Sequence, residues 1–484
     1  MLYKKLISMV IVVLLSFSII SACDSGASDK IEIVVEEEPI YQDFDGYEFV
    51  IQARKHGTYN GMDDTPLAPA QEGIDDRLDK VLKRYRDTET NFNVTIRTEV
   101  YDSSWDNITP MVTAASVGEK FGDIVDQIAR LICKNRDTYF MAVEDIDPDG
   151  VLDLKSGRWG MEGFLNAVRF NGLTYGIQAS DWAIPPVSAK GYFIFNHSLI
   201  ANANAASPYE LEEKGIWNWE EFEKICTAVT DTSSADKTEH VYGFTTLSSI
   251  MMLQSAIMSN GAHWVSQDPT TGRYMFNMED PKVLEALDWF RSLLVDKKIG
   301  QFINEWSTPA LDNFVNLKTA FISEHVFTMF GNFFELRIGD EGYSWTHFPT
   351  GPKGNPDKDW GIIINDESRY IGIARTPDED YDITLALVDY IFSPLDGETS
   401  TSWQENFKRY RFYNEESFNQ YYIGLQKGIT DYSTVSYDAI MGSTSVCTIL
   451  QQISAGKSAI ETIQKFGEKI QANLDKDSGF TAGE

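Results

Sequence analysis

The sequence predicts an α/β fold. Strand-like apolar runs alternate with helix-like segments over the first third of the chain, which is typical of a parallel α/β unit. The helix-like segments carry apolar residues at three- and four-residue spacing, which indicates amphipathic helices. The length of 484 residues suggests two or three domains, with ample chain to bury a core.

The first predicted unit is strand, helix, strand, helix, strand. Its first helix carries Leu78, Val81, Leu82 and Tyr85 on one apolar stripe. The elements in order are a strand at 47–51, a helix opened by Asp75 or Asp76 as N-cap, a strand at 91–96, a helix at 108–117 and a buried strand at 121–125.

A second unit follows a crossover. The crossover contains Pro185 and Pro186, and consecutive prolines fit neither a helix nor an inner strand. Beyond it we expect a strand at 191–196, a helix at 217–229 and a helix with Pro281 in its first turn.

The charge excludes two classes of partner. Lys and Arg number 41 against 73 Asp and Glu, so the formal net charge is −32, and loss of Lys4 and Lys5 with a signal peptide would make it −34. Nucleic acids and anionic membrane surfaces require clustered basic residues. We therefore expect no nucleic-acid partner.

The N-terminus resembles the signal peptide of bacterial lipoproteins. Lys4 and Lys5 precede an apolar run at 6–20, which is too short to span a membrane, and Ser21-Ala22-Cys23 resembles a lipobox. This predicts removal of residues 1–22, lipidation of Cys23 (diacylglycerol on the thiol, a fatty acid such as palmitate on the new amino group) and a position on the outer face of the cell membrane. A signal anchor, or a secretory signal with an incidental cysteine, is the alternative. Residues 23–43 are polar and acidic and predict a flexible tether.

Three further cysteines lie far apart in the sequence. Cys133, Cys226 and Cys447 form no CxxC motif and no Cys/His cluster, so they support neither a zinc site nor a disulfide framework. We expect small buried side chains, although one pair could form a disulfide.

One segment resembles half of a calcium loop. The run 145–150 (DIDPDG) has the acidic spacing, but the twelfth position is Ser156 where such loops carry a bidentate Glu. We therefore expect no metal and no cofactor.

Eight short segments occur in a characteristic order: 121–125 (FGDIV), 171–177 (NGLTYGI), 192–196 (YFIFN), 217–222 (WNWEEF), 260–262 (NGA), 276–281 (FNMEDP), 317–321 (LKTAF) and 348–354 (FPTGPKG). In this order they resemble family 1 extracellular solute-binding proteins, the lipoprotein receptors of ABC importers that mostly take sugars. Gly122 replaces the proline usual in this family, and the insert at 179–188 is longer than usual.

The resemblance implies a type II periplasmic-binding-protein-like fold, in which two α/β lobes joined by hinge crossovers hold the ligand in the cleft. It implies a first lobe at 44–182 and 368–412, and a second lobe at 183–367 and 413–484. It also implies a monomeric, non-enzymatic receptor that captures a carbohydrate, an oligosaccharide above all, and docks on the transmembrane subunits of an ABC permease.

Candidate ligand residues follow from their position. Loops at the carboxyl ends of strands and the crossovers are where such sheets bind ligands, and aromatic faces stack on sugar rings. For each candidate, a surface or core role is the alternative; Trp217 and Trp219 are expected to be structural because they open a helix. The candidates are Arg54, Gln127, Arg130, Asp181, Trp182, Glu324, His325, Tyr370, Tyr437 and Asp438.

Other functions remain open at this point. An exported carbohydrate-active hydrolase needs only two carboxylates, which an acidic chain always offers, but GxSxG, HExxH, GxxxxGK[ST] and GxGxxG motifs are missing from the sequence. A receptor for a peptide, a polyol or a glycerol phosphate, or one that signals through a partner, is also compatible with the sequence.

Overall fold

The computed structural model describes residues 41–55, 67–68, 72–73, 76–102, 108–182, 189–246, 248–302, 309–324, 342–364 and 367–480. Its architecture is mixed α/β, which confirms the predicted class. The strands are β1 Tyr47–Lys55, β2 Val94–Asp102, β3 Ile124–Ile128, β4 Arg169–Phe170, β5 Leu173–Thr174, β6 Ala189–Lys190, β7 Tyr192–Asn196, β8 Tyr242–Thr246, β9 Val265–Gln267, β10 Tyr274–Phe276, β11 Gly300–Phe302, β12 Thr319–Glu324, β13 Tyr343–Thr346, β14 Ile363–Ile364, β15 Arg369–Ile373 and β16 Ile429–Thr430.

The α-helices lie between and after these strands. They are α1 Asp76–Phe92, α2 Thr109–Ser116, α3 Ala129–Lys134, α4 Arg136–Tyr139, α5 Val143–Ile146, α6 Glu162–Ala167, α7 His197–Asn202, α8 Pro208–Glu213, α9 Trp219–Val229, α10 Ser249–Ser259, α11 Pro281–Val295, α12 Pro309–Val315, α13 Tyr381–Ile391, α14 Ser402–Arg411, α15 Glu415–Gln426, α16 Tyr437–Ile440, α17 Val446–Ser454 and α18 Ala459–Ser478.

The first sheet has four strands in the order β15-β3-β1-β2. β1 pairs in parallel with β2 and with β3, as the predicted strand-helix-strand unit requires. β15, from much later in the chain, pairs antiparallel with β3. Phe49 and Ile51 in the central strand β1 are fully buried, so this sheet forms the centre of an apolar core.

Several predicted boundaries in this unit are wrong by a few residues. The three strands end at Lys55, Asp102 and Ile128, beyond the predicted ends at 51, 96 and 125. Helix α1 continues through Phe92, because that ring is buried and stacks on Phe44 at 5.7 Å; the chain turns at Asn93 (φ 50°) before β2 begins. The third strand begins at Ile124 rather than at 121. The side chain of Asp123, just before it, instead accepts a 2.6 Å hydrogen bond from the backbone N–H of Val50.

The second sheet has five strands in the order β11-β8-β12-β7-β13. β8 runs parallel to β11 and β12, whereas β7 runs antiparallel to β12 and β13. Trp217 and Trp219 are buried beside this sheet, and their indole N–H groups donate to the His347 carbonyl and to Ser259 Oγ at 3.0 and 3.1 Å. Their predicted structural role is confirmed.

A third, three-stranded sheet has the order β16-β14-β6. Its strands come from three distant parts of the chain, and β14 pairs antiparallel with β6 and parallel with β16. Helix α6 lies directly against it, because a Cβ on Gly163 would stand 2.2 Å from the carbonyl oxygen of Gly428. Glycine is therefore required at 163 for this close approach.

The predicted lobe boundaries can be compared with these sheets. Every strand of the four-stranded sheet falls within 44–182 or 368–412, and every strand of the five-stranded sheet within 183–367. Helix α14 differs, because the ring of Trp403 lies 6.1 Å from Tyr422 and that of Phe412 lies 5.4 Å from Trp345. Both ends of α14 thus contact residues assigned to the second lobe.

Cys133, Cys226 and Cys447 are buried, as expected for small apolar side chains, and form no disulfide within the described part of the chain. Burial raises the pKa of the Cys133 thiol to about 12, so it stays protonated at neutral pH. Among the described residues, none of the helices has the length and apolarity needed to cross a membrane.

Candidate functional site

One edge of the four-stranded sheet gathers polar side chains from neighbouring strands. The parallel strands β1, β2 and β3 end at this edge, and the antiparallel strand β15 begins there. Arg54 is paired in register with Tyr101, and Tyr370 with Gln127. This is the edge at which open α/β sheets bind ligands.

A hydrogen-bond network connects the ends of β2 and β3. The Tyr101 hydroxyl donates to the Asp126 carbonyl at 2.6 Å, and Gln127 Nε2 donates to the Tyr101 hydroxyl at 3.0 Å. Gln127 Oε1 accepts from the backbone N–H of Ile128 at 2.9 Å. Gln127 is buried, so its amide holds the edge of the sheet in place and does not face solvent.

Asp126 and Arg369 form an ion pair across β3 and β15. Arg369 Nε donates to Asp126 Oδ1 at 3.1 Å, and its Nη2 group contacts Oδ2. Asp126 is almost completely buried, and a paired carboxylate is how a buried charge is tolerated. This pair fixes the start of β15 beside the end of β3.

Arg54 is the most deeply buried cation at this edge, with 2% of its surface exposed. Burial is the main cause that lowers its guanidinium pKa, and the nearby positive charges of Arg369 and Arg130 act in the same direction, whereas Asp126 opposes them. The guanidinium groups of Arg369 and Arg130 are therefore both close enough to act on the charge of Arg54.

Arg130 and Tyr437 join this edge to a different part of the chain. Arg130 lies in the first turn of α3, directly after β3, and its guanidinium carbon is 4.5 Å from the ring centroid of Tyr437, the first residue of α16. Ser436 caps α16 by accepting the Ala439 N–H at 3.2 Å. Tyr437 is 39% exposed, and Asp438 beside it is exposed.

The two aromatic candidates near the crossovers pack in the core. Trp182 is 1% exposed, and its indole packs on Phe392 at 4.9 Å and donates to the Ser393 carbonyl at 3.1 Å. Tyr370 is 1% exposed, and its hydroxyl donates to the Phe164 carbonyl at 2.7 Å. Neither ring presents a face to a ligand here, because both are part of the core.

Other predicted residues lie partly or wholly outside the residues that the structure describes. Asp181 lies in the short 3₁₀ helix Ser180–Trp182, and Glu324 ends β12, where it pairs with Tyr192. The side chains of these two residues, together with Cys23 and His325, lie outside the described residues. The segments that directly follow β8, β11 and β12 also lie outside them.

The sequence interpretation missed Tyr101, Asp126 and Arg369. Tyr101 could have been found from the parallel pairing, because the end of β2 must lie beside the end of β1. Arg369 gave no such signal, since its place depends on the antiparallel return of β15 to β3.

The calcium-like segment has a structural use. Asp147 accepts the backbone N–H groups of Val151 and Leu152, each at 2.7 Å, through its two carboxylate oxygens. Among the described residues, His, Cys, Asp and Glu side chains form no cluster of three that could hold a metal ion.

The architecture is similar to that of proteins with solved structures. No family model matches the chain, and no curated protein matches its sequence. Solved structures do match it, over about nine-tenths of the chain. The sugar-binding protein MalE from Xanthomonas citri matches with a TM-score of 0.62 at 14% identity, covering 90% of this chain and 100% of that one. The chain has the two-lobed solute-binding fold.

Two other solved structures share this solute-binding fold. The cyclic alpha-maltosyl-1,6-maltose binding protein from Arthrobacter globiformis matches with a TM-score of 0.60 at 12% identity, over 89% of this chain and 100% of that one. UgpB from Mycobacterium tuberculosis, solved with glycerophosphocholine, matches with a TM-score of 0.55 at 13% identity, over 89% of this chain and 99% of that one. At these identities the likeness concerns the fold.

Proposed function

We propose that this protein is the extracytoplasmic solute receptor of an ABC importer and that it binds a carbohydrate between its lobes. The observation that carries the proposal is the contact between Arg130 and Tyr437. It brings a residue at the ligand-binding edge of the first sheet against an exposed tyrosine from the predicted second lobe.

The chemistry of this contact suits a sugar. A partly exposed aromatic ring offers a surface for the C–H face of a pyranose, and guanidinium groups donate hydrogen bonds to its oxygens. Two proteins of the same fold are described as sugar-binding and as binding a cyclic maltosyl-maltose. The partner that follows from the role is the pair of transmembrane subunits of a permease, with the receptor as a monomer.

The lobes would be those predicted, with one change. Because α14 contacts residues of the second lobe at both ends, we propose that the crossing from the first lobe to the second precedes residue 402. The first lobe then comprises 44–182 and the segment from 368 to the end of α13. Limited proteolysis that releases α14 together with the second lobe would support this boundary.

Saturable binding of a ligand that is not cleaved distinguishes a receptor from a hydrolase. Purified protein is titrated with a panel of mono- and oligosaccharides by thermal shift, since a ligand at 100 times its dissociation constant stabilises the folded state by about 2.7 kcal/mol. Samples that bind are then incubated and analysed for shorter products. Binding with no product supports a receptor, whereas time-dependent cleavage would establish the hydrolase.

The lipid anchor is a separate proposal with its own test. The motivation is the lipobox-like sequence that ends in Cys23. Cys23→Ala should release the protein from the membrane fraction into the medium, whereas Cys133→Ala, which alters a buried thiol, should leave it membrane-bound. Retention of the Cys23→Ala protein on membranes would contradict the anchor.

A further inference from the structure

We propose that the contact between Gly163 and Gly428 is the pivot on which the two lobes turn, and that its lack of side chains sets the balance between open and closed lobes. The contact joins α6 of the proposed first lobe to the segment just after α15 of the proposed second lobe. This inference rests on the proposed function, because it locates the movement by which a solute receptor would close on its ligand.

The contact is one of backbone against backbone. A Cβ on Gly163 would stand 2.2 Å from the carbonyl oxygen of Gly428, too close for a real Cβ atom. Both glycines are buried, so no solvent layer separates the two segments. Because each residue carries only hydrogen in place of a side chain, the backbones of the two lobes approach to van der Waals contact here.

A crossover residue fills the remaining space at this contact. Ile364 is fully buried, and its Cδ1 atom would lie 2.8 Å from a Cβ on either glycine. In the third sheet, Ile364 pairs with Ala189 of the first crossover on one side and with Thr430 of the second lobe on the other. Both crossovers and both lobes therefore meet where Gly163 touches Gly428.

Each glycine is fixed to the sheet of its own lobe by a tyrosine hydroxyl. Tyr370, in β15 of the first sheet, donates to the carbonyl of Phe164, next to the first-lobe glycine, at 2.7 Å. Tyr192, at the start of β7 in the second sheet, donates to the carbonyl of Tyr421 in α15, also at 2.7 Å. Helix α15 ends two residues before the second-lobe glycine. A displacement at the contact is therefore passed to both sheets.

Volume added at the pivot should change the separation of the lobes and the ligand affinity together. Hinges are often built from small residues, which absorb the movement of the parts that they join. A ligand that binds between the lobes shifts an existing balance between open and closed forms, so a change in that balance alters affinity even where no ligand contact changes.

Glycine-to-alanine variants test the pivot. Gly163→Ala meets a backbone atom, whereas Gly428→Ala meets the end of the Ile364 side chain at 2.8 Å, so the second is the milder change. Gly300→Ala is the matched control, because its Cβ would stand 2.1 Å from the ring of Phe244, with which Gly300 pairs inside the second sheet. The control carries a similar clash within one lobe and not between two.

The separation of the lobes is measured without ligand. Spin labels are placed at Thr90→Cys in α1 and Gln464→Cys in α18, both exposed positions, in full-length protein in which Cys23 is also replaced by Ala. The cysteines of the described part of the chain are buried and do not compete for the label. By pulsed electron paramagnetic resonance we expect both pivot variants to shift the distance distribution, with the larger shift for Gly163→Ala, and Gly300→Ala to leave it in place.

A double variant tests whether the effect arises at this contact. Ile364→Ala removes Cδ1 and Cγ1, the atoms that a Cβ on Gly428 would meet at 2.8 and 2.9 Å. Gly428→Ala should therefore shift the distance distribution far less in an Ile364→Ala background than in the otherwise unsubstituted protein. A full shift in both backgrounds overturns the pivot. If Gly163→Ala does not fold, this pair still decides the question.

The carbohydrate panel of the ligand screen is then titrated into the same variants. For a panel sugar that binds, we expect Gly163→Ala to change the affinity by at least about fivefold, tighter if the lobes have moved together and weaker if they have moved apart. Gly300→Ala should leave the affinity within about twofold. A shift of the lobes with unchanged affinity would contradict the claim that this contact sets the balance used in binding.

The outcomes separate this inference from the function on which it rests. An unchanged lobe separation in folded Gly163→Ala and Gly428→Ala overturns the pivot and leaves the carbohydrate receptor standing. An equal shift in Gly300→Ala also overturns it, because strain within one lobe would then have the same effect. If no panel sugar binds to any of the proteins, the proposed function fails, while the distance measurement, which needs no ligand, still decides the pivot.

Discussion

The guanidinium group of Arg130 lies against the ring of Tyr437, 4.5 Å from its centroid. Arg130 follows the strand β3 of the first sheet, whereas Tyr437 begins α16, which packs against the C-terminal helix α18. The contact therefore connects two parts of the chain that the sequence assigns to different lobes. A ligand that reaches both residues would favour the arrangement in which the lobes are close.

Replacement of Tyr437 should affect ligand binding far more than folding. Tyr437→Ala removes an aromatic surface that is 39% exposed, and we expect affinity to fall at least tenfold, about 1.4 kcal/mol, with little change in unfolding free energy. Tyr437→Phe keeps the ring and should lose less. Calorimetry with the ligand found in the screen measures both variants.

Tyr413 offers the matched control for that experiment. It is 56% exposed and lies 5.7 Å from Tyr343, which pairs with Asn196 at the end of the second sheet opposite to the carboxyl ends of β8 and β12. Tyr413→Ala should leave affinity unchanged. An equal loss of affinity in both variants would mean that the effect is not specific to the proposed site.

Replacement of Trp182 should have the opposite result. Its indole lies between Tyr85 and Phe392 in the apolar core around the four-stranded sheet. Trp182→Ala should therefore reduce the unfolding free energy by about 3–5 kcal/mol. Trp182→Phe should cost less and retain wild-type affinity within twofold. Urea denaturation and calorimetry separate the two quantities, and a tenfold affinity loss in a fully folded Trp182→Phe protein would return Trp182 to the ligand site.

Arg84 stabilises the fold by donating hydrogen bonds to carbonyl groups at the carboxyl end of α13. Its Nη1 group donates to the carbonyls of Tyr390, Ile391 and Ser393 at 2.9, 3.2 and 3.0 Å, and Nη2 donates to Pro394 at 2.6 Å. Arg84→Met should remove the guanidinium donor from all four carbonyls, although those of Ser393 and Tyr390 keep Trp182 Nε1 and Ser393 Oγ as donors. We expect the unfolding free energy to fall by about 3 kcal/mol.

Arg86, two residues further along α1, provides the comparison for Arg84. It forms an exposed ion pair with Glu72, and exposed pairs contribute little. Arg86→Met should change the unfolding free energy by less than about 1 kcal/mol in the same urea titration. Equal effects of the two substitutions would show that the carbonyls at the end of α13 find other partners.

The sequence predicted the elements that have strong local signals. Helix α11 begins at Pro281 as predicted, with Asp280 accepting the Lys282 N–H at 2.7 Å, and α9 ends at Val229 as predicted. The start of β2 was harder to predict, because the residues around Phe92 and Asn93 have strand-like side chains. The turn at Asn93 depends on the packing of the Phe92 ring. Local pattern alone does not contain that contact.

The site could be predicted only where it follows from the order of parallel strands. Arg54 and Arg130 were identified because they follow the predicted strands at 47–51 and 121–125; in the structure Arg54 is still within β1, near its end, and Arg130 follows β3. Trp182 and Tyr370 were chosen for their aromatic rings near a crossover, and both rings are packed in the core. The role of Arg369 required the return of β15 to the first sheet. Long-range pairing of this kind leaves no periodic signal in a single sequence.

His347 makes stability depend on pH. It is buried against Trp360, with ring centroids 4.0 Å apart, and burial, assisted by the positive charge of Lys427, lowers its pKa to about 3. Its Nε2 atom lies 3.7 Å from Glu212, but the ring is neutral near pH 7, so this contact is not an ion pair there. The ordinary histidine pKa is near 6.5.

Between about pH 6.5 and 3 the unfolded chain binds a proton at this histidine that the folded protein does not bind. The stabilising contribution is therefore complete above pH 6.5 and is lost as the pH falls, by about 1.4 kcal/mol per pH unit. His347→Gln removes this proton, so its unfolding free energy should fall less steeply between pH 6 and 4.5, by about the same amount per unit. Urea titrations at several pH values measure both slopes. Carboxylates contribute equally to the two proteins, so parallel slopes would mean that His347 is protonated in the folded state.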